Sequence, residues 1–390
     1  MNKDSNNTTV NGFTVKKYSL SSNPFEVVAC TSSDQYVERE NELKDFESNL
    51  RLIISSGFGC KGKKIIGCKG IGKTSLVNMY FEIAHKKGLK RVYATVSNTA
   101  QNFMRNLLIG AINAETDEYK RNSFSKRYGE FVRRKSADSD DLFRKFTEII
   151  DELQPKPVIV AIDETIFLPR MINFSYLFNN YVFDHAHDVM FILCLSPDTY
   201  KKIVETAFSD RFPEVIRLPS FSDDELREVL KKRLSVVRTG AVSSPYFPFT
   251  KKAVETLLDH AGGVPRYLIE IANSSLGIGV ESQTPSINEE TVNKAAVRAE
   301  RGYLVSIWHS LNSFEKQTLI EITRMGGKVK LNEIIDAVKK ERSWVWRSVN
   351  ELVERGLVEK MGEAKKDVTY KLITDPKLIM DLKNKEGKNT

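Results

Sequence analysis

Residues 67–74 read GCKGIGKT and match the phosphate-binding pattern G-x-x-x-x-G-K-[ST]. Glycines let such a loop close around phosphates, and its N–H groups and the following helix N-terminus attract the anion. Lys73 is expected to reach the β- and γ-phosphates, and the Thr74 hydroxyl to bind Mg²⁺. The motif therefore predicts binding of ATP or ADP with Mg²⁺. The residues predicted to bind nucleotide are Gly67, Lys69, Gly70, Ile71, Gly72, Lys73, Thr74 and Ser75.

A second motif, VIVAIDE, ends at Glu164. Asp163 ends an apolar strand of the buried kind, where a carboxylate can hold Mg²⁺ together with Thr74. Glu164 suits a carboxylate that polarises the attacking water, which predicts ATP hydrolysis. The chain between residues 74 and 163 has room for another strand, so Asp163 is expected on a strand that does not follow the phosphate-loop strand directly. The alternative is an Asp-Glu pair that caps the following loop.

Three further side chains are candidate catalytic groups, and each has a second interpretation. Ser196 ends the strand VMFILCLS, where its hydroxyl either faces the γ-phosphate or the attacking water, or merely ends the strand in a turn. Arg211 precedes EVIRLP and either acts on the γ-phosphate of a neighbouring subunit or forms a surface salt bridge. Arg266 opens a helix after GGVP and either folds back onto the phosphates or has no such role.

Alternating strands and helices must position these groups. An α/β fold with a parallel sheet and helices on both faces is therefore expected, followed by an all-helical segment from Phe221. The strands are predicted at 63–67, 91–97, 157–163, 189–196 and 214–219.

The last part of the chain has a different pattern. Helices are predicted at 313–325, 332–340 and 343–355, before short strands at 357–361 and 368–373, which is the winged-helix arrangement. The predicted domains are a flexible segment 1–24, an ATPase core 25–220, a helical lid 221–300 and a winged helix 301–390.

Composition excludes several classes of protein. Of the 390 residues, 41% are hydrophobic and 28% charged, as in globular rather than disordered proteins. No apolar run is long enough to span a membrane, and the polar N-terminus lacks the apolar region of a secretory signal. Cys30, Cys60, Cys68 and Cys194 form no CxxC pair, which argues against a disulfide framework or zinc site and favours a reducing cytoplasm.

Duplex DNA is the predicted partner of the winged helix, and a nucleoid-associated location would follow. The net charge is +8, and residues 301–390 hold 18 Lys and Arg against 13 Asp and Glu. In helix-turn-helix proteins the N-terminal part of the second helix meets base edges, and Arg347 is the best candidate for that contact. Trp344 either joins this face or, like Trp346, packs structurally. The predicted DNA contacts are Ser343, Trp344, Arg347 and Ser348 on the helix and Lys365 and Lys366 at the wing tip.

A second basic segment lies at residues 118–135, where lysines and arginines alternate with aromatic residues. This composition suits phosphate contacts combined with stacking. The alternative is an amphipathic helix pair whose aromatic side chains are core and whose charges are solvated.

In their order along the chain, VERENEL, GCKGIGKT, VIVAIDE, SDRF before EVIRLP, and GGVPRYL resemble the AAA+ superfamily. With the winged helix, the chain resembles archaeal initiators of the origin-recognition-complex type over about residues 20–375. The resemblance implies an ATPase core, a helical lid and a winged helix, with slow, switch-like hydrolysis in replication initiation or helicase loading. Ser196 would be sensor 1, Arg211 the arginine finger and Arg266 sensor 2, and self-association or a helicase partner would follow.

Two departures keep alternatives open. DETIFLPR lacks the second aspartate that usually continues the Asp-Glu motif, and GGVPRYL is also similar to archaeal STAND-type signalling ATPases. A STAND-like switch, whose winged helix binds protein, is therefore one alternative. A transposition-type ATPase that forms filaments on DNA is another.

Overall fold

The computed structural model describes residues 15–32, 34–57, 62–134, 137–174, 189–362 and 368–386. Within these ranges the chain forms two compact units, which divide between Val292 and Asn293. None of the described helices is long and apolar enough to cross a membrane. The finer division into four domains stays a prediction.

The first unit is built on a five-stranded sheet in which every pairing is parallel. Its order is β2-β3-β4-β1-β5, which confirms the predicted parallel sheet and places β4 between the phosphate-loop strand and the strand of Asp163. Carboxyl ends of parallel strands meet at one edge, so the sheet gathers the predicted phosphate and metal groups there. The strands are β1 Gly62–Ile66, β2 Arg91–Thr95, β3 Val158–Asp163, β4 Val189–Leu195 and β5 Glu214–Arg217.

Helices cover both faces of this sheet, and each face has its own apolar cluster. The two clusters take apolar residues from the strands and from the helices that pack on them, such as Leu76 and Tyr80 of Lys73–Lys86 on one face and Leu107 and Leu108 of Ala100–Ala114 on the other. The helices from Asp223 to Glu281 pack on one another. In chain order the helices are α1 Glu40–Ser56, α2 Lys73–Lys86, α3 Ala100–Ala114, α4 Glu118–Arg133, α5 Ser139–Glu152, α6 Pro197–Ile203, α7 Ala207–Asp210, α8 Asp223–Val236, α9 Lys251–Ala261, α10 Pro265–Glu281 and α11 Glu289–Ser310, the last of which runs across the division between the units.

Strand β1 buries two lysines, although its position in the sheet suits apolar residues. Lys63 forms an ion pair with Glu214 of β5. The Lys64 ammonium donates to the carbonyl oxygen of Ser209 at 3.0 Å and to its hydroxyl at 2.8 Å. Burial lowers the pKa of Lys64. These partners compensate for the cost of removing the two ammonium groups from water.

The N-terminal segment is packed over residues 15–24, where sequence analysis expected flexibility. Leu20 is fully buried, and the Tyr18 hydroxyl donates to the carbonyl oxygen of Thr284 at 2.8 Å. The buried guanidinium of Arg233 donates to the carbonyl oxygens of Pro24 at 3.2 Å and Glu26 at 2.9 Å. The segment is therefore held both by buried apolar side chains such as Tyr18 and Leu20 and by hydrogen bonds from a buried arginine to its backbone.

The second unit has the predicted winged-helix order with two additions. Val345, Val349 and Leu352 are fully buried, as their helical spacing predicted. The additions are the edge strand β6, which is too short to show periodicity, and the last helix. The elements are α12 Ser313–Arg324, β6 Lys328–Lys330, α13 Leu331–Val338, α14 Arg342–Glu354, β7 Val358–Met361, β8 Thr369–Leu372 and α15 Pro376–Glu386, and the antiparallel sheet has the order β6-β8-β7.

Candidate nucleotide and DNA sites

The phosphate loop connects β1 to α2 and needs its glycines for two reasons. Gly70 and Gly72 have φ values of +84° and +103°, a region that side chains other than hydrogen rarely tolerate. A Cβ atom at Gly70 would also lie 2.7 Å from the Cβ of Arg266. The Lys73 ammonium lies within the loop and donates to the carbonyl oxygens of Gly67 at 2.8 Å and Cys68 at 2.9 Å.

Asp163 lies against this loop. Its Oδ2 accepts a hydrogen bond of 2.6 Å from the Thr74 hydroxyl, and its Oδ1 accepts one of 2.8 Å from the backbone N–H of Glu164. The side chain is 4% exposed. The structure thus brings together the two residues that the sequence predicted as magnesium ligands.

Tyr93 of β2 also belongs to this site, although no motif in the sequence pointed to it. Its hydroxyl donates to Asp163 Oδ2 at 3.1 Å, so that oxygen accepts two hydroxyl groups. Burial, followed by the nearby charge of Asp163, raises the pKa of Tyr93 above its usual range. Strand alternation alone would not have identified this residue, because its backbone partner in β3 is Ala161 and only the length of the ring brings the hydroxyl to Asp163.

Glu164 has the left-handed backbone conformation, with φ at 51°, and an exposed side chain. A non-glycine residue in this region carries a strain of about 1–3 kcal/mol, which is often found at functional sites. The neighbouring Thr165 is buried and donates to the carbonyl oxygen of Cys194 at 2.6 Å. That bond fixes the turn and leaves the Glu164 carboxylate facing water.

The donor set suits Mg²⁺ delivered with a nucleotide. No group of three or more His, Cys, Asp or Glu side chains within the described ranges could hold a metal ion. Mg²⁺ prefers oxygen ligands and is commonly held by one or two protein oxygens, waters and substrate phosphates. Thr74 and Asp163 supply a hydroxyl and a carboxylate beside the phosphate loop, which fits that pattern.

The other candidate catalytic groups have different surroundings. Ser196 follows β4 and caps α6, since its Oγ accepts the N–H of Thr199 at 3.1 Å, in line with the turn interpretation. Gly67 N–H donates to Leu195 O at 3.1 Å, so Ser196 is nevertheless adjacent to the loop. Its role as sensor 1 stays a prediction.

Arg266 is next to the phosphate loop, at the start of α10. Its backbone N–H donates to the carbonyl oxygen of Gly70 at 3.4 Å. Its side chain is half exposed, and Nε donates to Glu270 at 2.8 Å. The role of Arg266 as sensor 2 stays a prediction.

Arg211 lies at the opposite end of β1 from the loop. A Cβ atom at Gly62, the first residue of β1, would collide with the carbonyl oxygen of Arg211. The five residues of β1 span about 16 Å, further than an arginine side chain extends. Arg211 therefore cannot reach the phosphate loop of its own chain.

The N-terminal segment also contacts α2. Cys30 N–H donates to the Ser75 hydroxyl at 3.1 Å, and Asn78 Nδ2 donates to the carbonyl oxygen of Cys30 at 2.9 Å. The Ser75 side chain is thus engaged by the protein, which leaves its backbone N–H as the group that can face phosphate. Ile71 is buried and anchors the loop in the apolar cluster.

The exposed face of α14 differs from the predicted one at Ser348, which is buried, and at Trp346, which is exposed. Ser343, Trp344 and Arg347 are exposed as expected. Ser348 is 4% exposed, and its hydroxyl donates to Thr318 Oγ1 at 2.9 Å, so the prediction that it faces DNA is not supported. It lies one turn before Leu352, on the core side of the helix. Lys365 and Lys366 lie outside the described residues.

Two tryptophans flank Arg347. Trp344 and Trp346 are 57% and 53% exposed, so neither is mainly a packing residue. Trp344 makes an edge contact with Phe314, at 6.2 Å between ring centroids.

The basic helix α4 agrees in large part with the amphipathic interpretation. Phe124 and Tyr128 are buried, and Arg127 pairs with Glu152 at 2.5 Å. Tyr119 remains 84% exposed at the start of the helix.

Comparison with known proteins agrees with this architecture. Residues 58–203 match the family model described as an AAA domain. An uncharacterized HTH-type transcriptional regulator of Methanocaldococcus jannaschii is 23% identical over 385 residues, 92% of each chain. The Aeropyrum pernix ORC1 protein in complex with DNA superposes with a TM-score of 0.68 at 16% identity, over 91% of this chain and 93% of that chain. The Aeropyrum pernix ORC2 protein, determined as ADPNP-ADP complexes, gives a TM-score of 0.54 at 16% identity, over 89% and 93%.

The parallel sheet and the phosphate loop of the first unit agree with the match of residues 58–203 to an AAA domain. Over 91% and 89% of the chain, the fold is similar to that of the Aeropyrum pernix ORC1 and ORC2 proteins.

Proposed function

We propose that the chain is a nucleotide-controlled protein that binds duplex DNA. ATP with Mg²⁺ occupies the phosphate loop of the first unit, and the winged helix of the second unit contacts DNA. The observation that supports the proposal is the 2.6 Å hydrogen bond between Thr74 and Asp163, which brings the two proposed Mg²⁺ ligands together beside the loop. The DNA complex of the ORC1 relative supports the choice of partner.

In this proposal different residues of the chain bind the phosphates, hold the metal ion and activate the attacking water. The loop N–H groups and Lys73 bind phosphate oxygens, while Thr74 and Asp163 hold the ion. Bound Mg²⁺ neutralises charge on the β- and γ-phosphates. Glu164, exposed and held by a strained turn, orients the attacking water and accepts its proton. Arg266 contacts the phosphates from α10, and Arg211 serves a neighbouring molecule.

DNA is contacted by the exposed N-terminal part of α14. Arg347 reaches base edges, while Ser343 and Trp344 contact the groove around it. The half-exposed Trp346 lies on the other side of Arg347 and offers an apolar contact to a sugar or a thymine methyl. Lys365 and Lys366 contact phosphates. ATP hydrolysis is slow and resets the affinity for DNA, and the biological role is replication initiation or helicase loading.

A second candidate role is transcriptional control. It is favoured by the relative from Methanocaldococcus jannaschii, whose printed name is that of an HTH-type transcriptional regulator and which aligns over 92% of both chains. The nucleotide and DNA chemistry would be the same, and only the sites bound would differ. Mapping the bound DNA across the genome separates the two roles, because an initiator concentrates at origins and a regulator at promoters.

A titration of labelled duplex with ATP, ADP and no nucleotide, at about 50 to 200 mM salt, tests the proposal. We expect affinity to fall steeply with salt and to depend on the nucleotide. Duplex affinity that is absent under all conditions would instead favour the STAND-like switch. Filaments formed on DNA with ATP would favour the transposition-type ATPase.

A further inference from the structure

Tyr93 is the group at the nucleotide site that has no role in the proposed chemistry. It lies on β2, the outermost of the described strands on its side of the sheet, and is 38% exposed. A tyrosine at such a position can leave its hydroxyl in water. Here the hydroxyl turns to Asp163, which is only 4% exposed.

The contacts of Asp163 show what this hydroxyl adds. Oδ1 is held by the backbone N–H of Glu164 at 2.8 Å, and Oδ2 by the hydroxyls of Thr74 at 2.6 Å and Tyr93 at 3.1 Å. Of the two hydroxyls, that of Thr74 is itself a predicted ligand of Mg²⁺. The Tyr93 hydroxyl is the side-chain donor that remains on Oδ2 when Thr74 turns to the ion.

We infer that Tyr93 is a positioning residue for the magnesium site: its O–H fixes the Asp163 carboxylate in the orientation that receives the ion. Groups that hold a metal ligand in place typically contribute about 10- to 100-fold to metal affinity. The inference rests on the proposed function, because it requires a nucleotide with Mg²⁺ at this loop. It does not require hydrolysis, DNA or a neighbouring chain.

The test compares wild-type protein with Tyr93→Phe, which removes only the hydroxyl. Tyr119→Phe is the matched control, because Tyr119 is 84% exposed on α4. Binding of a fluorescent ATP analogue is titrated with EDTA and at increasing Mg²⁺. For Tyr93→Phe, the Mg²⁺ concentration at half-maximal enhancement should rise about tenfold. Affinity in EDTA should stay within about twofold, since the phosphate loop is unchanged.

A second readout is the rise in the thermal midpoint on adding ADP, with Mg²⁺ or with EDTA. The variant should lose part of the Mg²⁺-dependent rise and keep the rise in EDTA. Equal Mg²⁺ dependence of wild type and Tyr93→Phe would overturn this inference alone, and so would an equal loss of affinity in EDTA, which would mean a structural role. Wild-type protein that binds no nucleotide would overturn the proposed function itself.

Discussion

The Thr74 hydroxyl donates a hydrogen bond of 2.6 Å to the Asp163 carboxylate, although β4 separates β3, which carries Asp163, from β1, which leads into the phosphate loop. β1 and β3 both pair with β4, so they lie about 9.5 Å apart in the sheet. The phosphate loop closes this distance because it passes over the carboxyl end of β4, where Gly67 N–H donates to Leu195 O. The register of three strands therefore sets the position of the two proposed Mg²⁺ ligands.

Thr74→Ala should weaken Mg²⁺-dependent nucleotide binding by about tenfold or more. The substitution removes a ligand of the metal ion and a hydrogen bond to the charged Asp163 carboxylate. Isothermal titration with ADP, with and without Mg²⁺, measures it. Thr256→Ala is the control, because Thr256 lies on α9, away from the phosphate loop in sequence, and its hydroxyl donates to Lys252 O of the same helix at 2.9 Å. Unchanged Mg²⁺ dependence in Thr74→Ala would contradict the assigned metal site.

Glu164→Gln should slow hydrolysis by about 100-fold or more, the usual contribution of a general base. Nucleotide affinity should change by less than about threefold, since the side chain is exposed and the backbone N–H still holds Asp163. Single-turnover hydrolysis and nucleotide binding, measured on the same preparation, test both halves. A variant that hydrolyses ATP at the wild-type rate would remove Glu164 from the reaction.

Glu164→Gly should make the protein more stable while abolishing hydrolysis. Glycine adopts the left-handed conformation without steric cost, which relieves about 1 kcal/mol of strain. The midpoint of thermal unfolding should therefore rise. Gln283→Gly is a comparison far along the chain from the site, because Gln283 also has a positive φ of 55°. A lower midpoint for Glu164→Gly, with a higher one for Gln283→Gly, would show that the Glu164 side chain stabilises its turn.

The sequence predicted the motifs that have their own spacing, and missed the contacts made between distant segments. The strand–loop–helix of residues 62–86 follows from local pattern. Thr74 and Asp163 could be placed together, although they are 89 residues apart, because each belongs to a motif that predicts a ligand of the same Mg²⁺ ion. Tyr93 and Arg233 were not predicted because each contacts a segment far along the chain. The spacing of residues in the sequence does not indicate such contacts. Ser348 was predicted to face DNA because its side chain is polar, and polar side chains are usually exposed. Its partner, the buried Thr318 hydroxyl, lies 30 residues away.

Arg211→Ala should hydrolyse ATP slowly by itself and recover activity when mixed with Glu164→Gln protein. Arg211 lies at the far end of β1, so it can serve only another molecule. The Glu164→Gln chain supplies that arginine to the intact site of Arg211→Ala. The measurement is the hydrolysis rate of the mixture against that of each variant alone. The control partner carries both substitutions and should restore nothing. Normal activity of Arg211→Ala alone would mean that the arginine is not used.

Arg347→Glu should change DNA affinity and Ser348→Ala should change stability, although the two residues are adjacent on α14. Arg347 is exposed at the predicted groove-facing side, so the charge reversal should weaken duplex binding by about tenfold or more. Ser348 is buried against Thr318, so its loss should leave DNA affinity unchanged and lower stability by about 1 kcal/mol.

Fluorescence anisotropy with labelled duplex, together with thermal unfolding of each variant, separates the two effects. Arg324→Glu, an exposed arginine of α12 that is paired with Glu321, controls for the change of net charge. The slope of log affinity against log salt should become shallower only for Arg347→Glu, because fewer counterions are released when a contact to DNA is lost. If Arg324→Glu weakens binding as much as Arg347→Glu, the protein binds duplex DNA through non-specific attraction to a basic surface, and α14 is not the recognition helix.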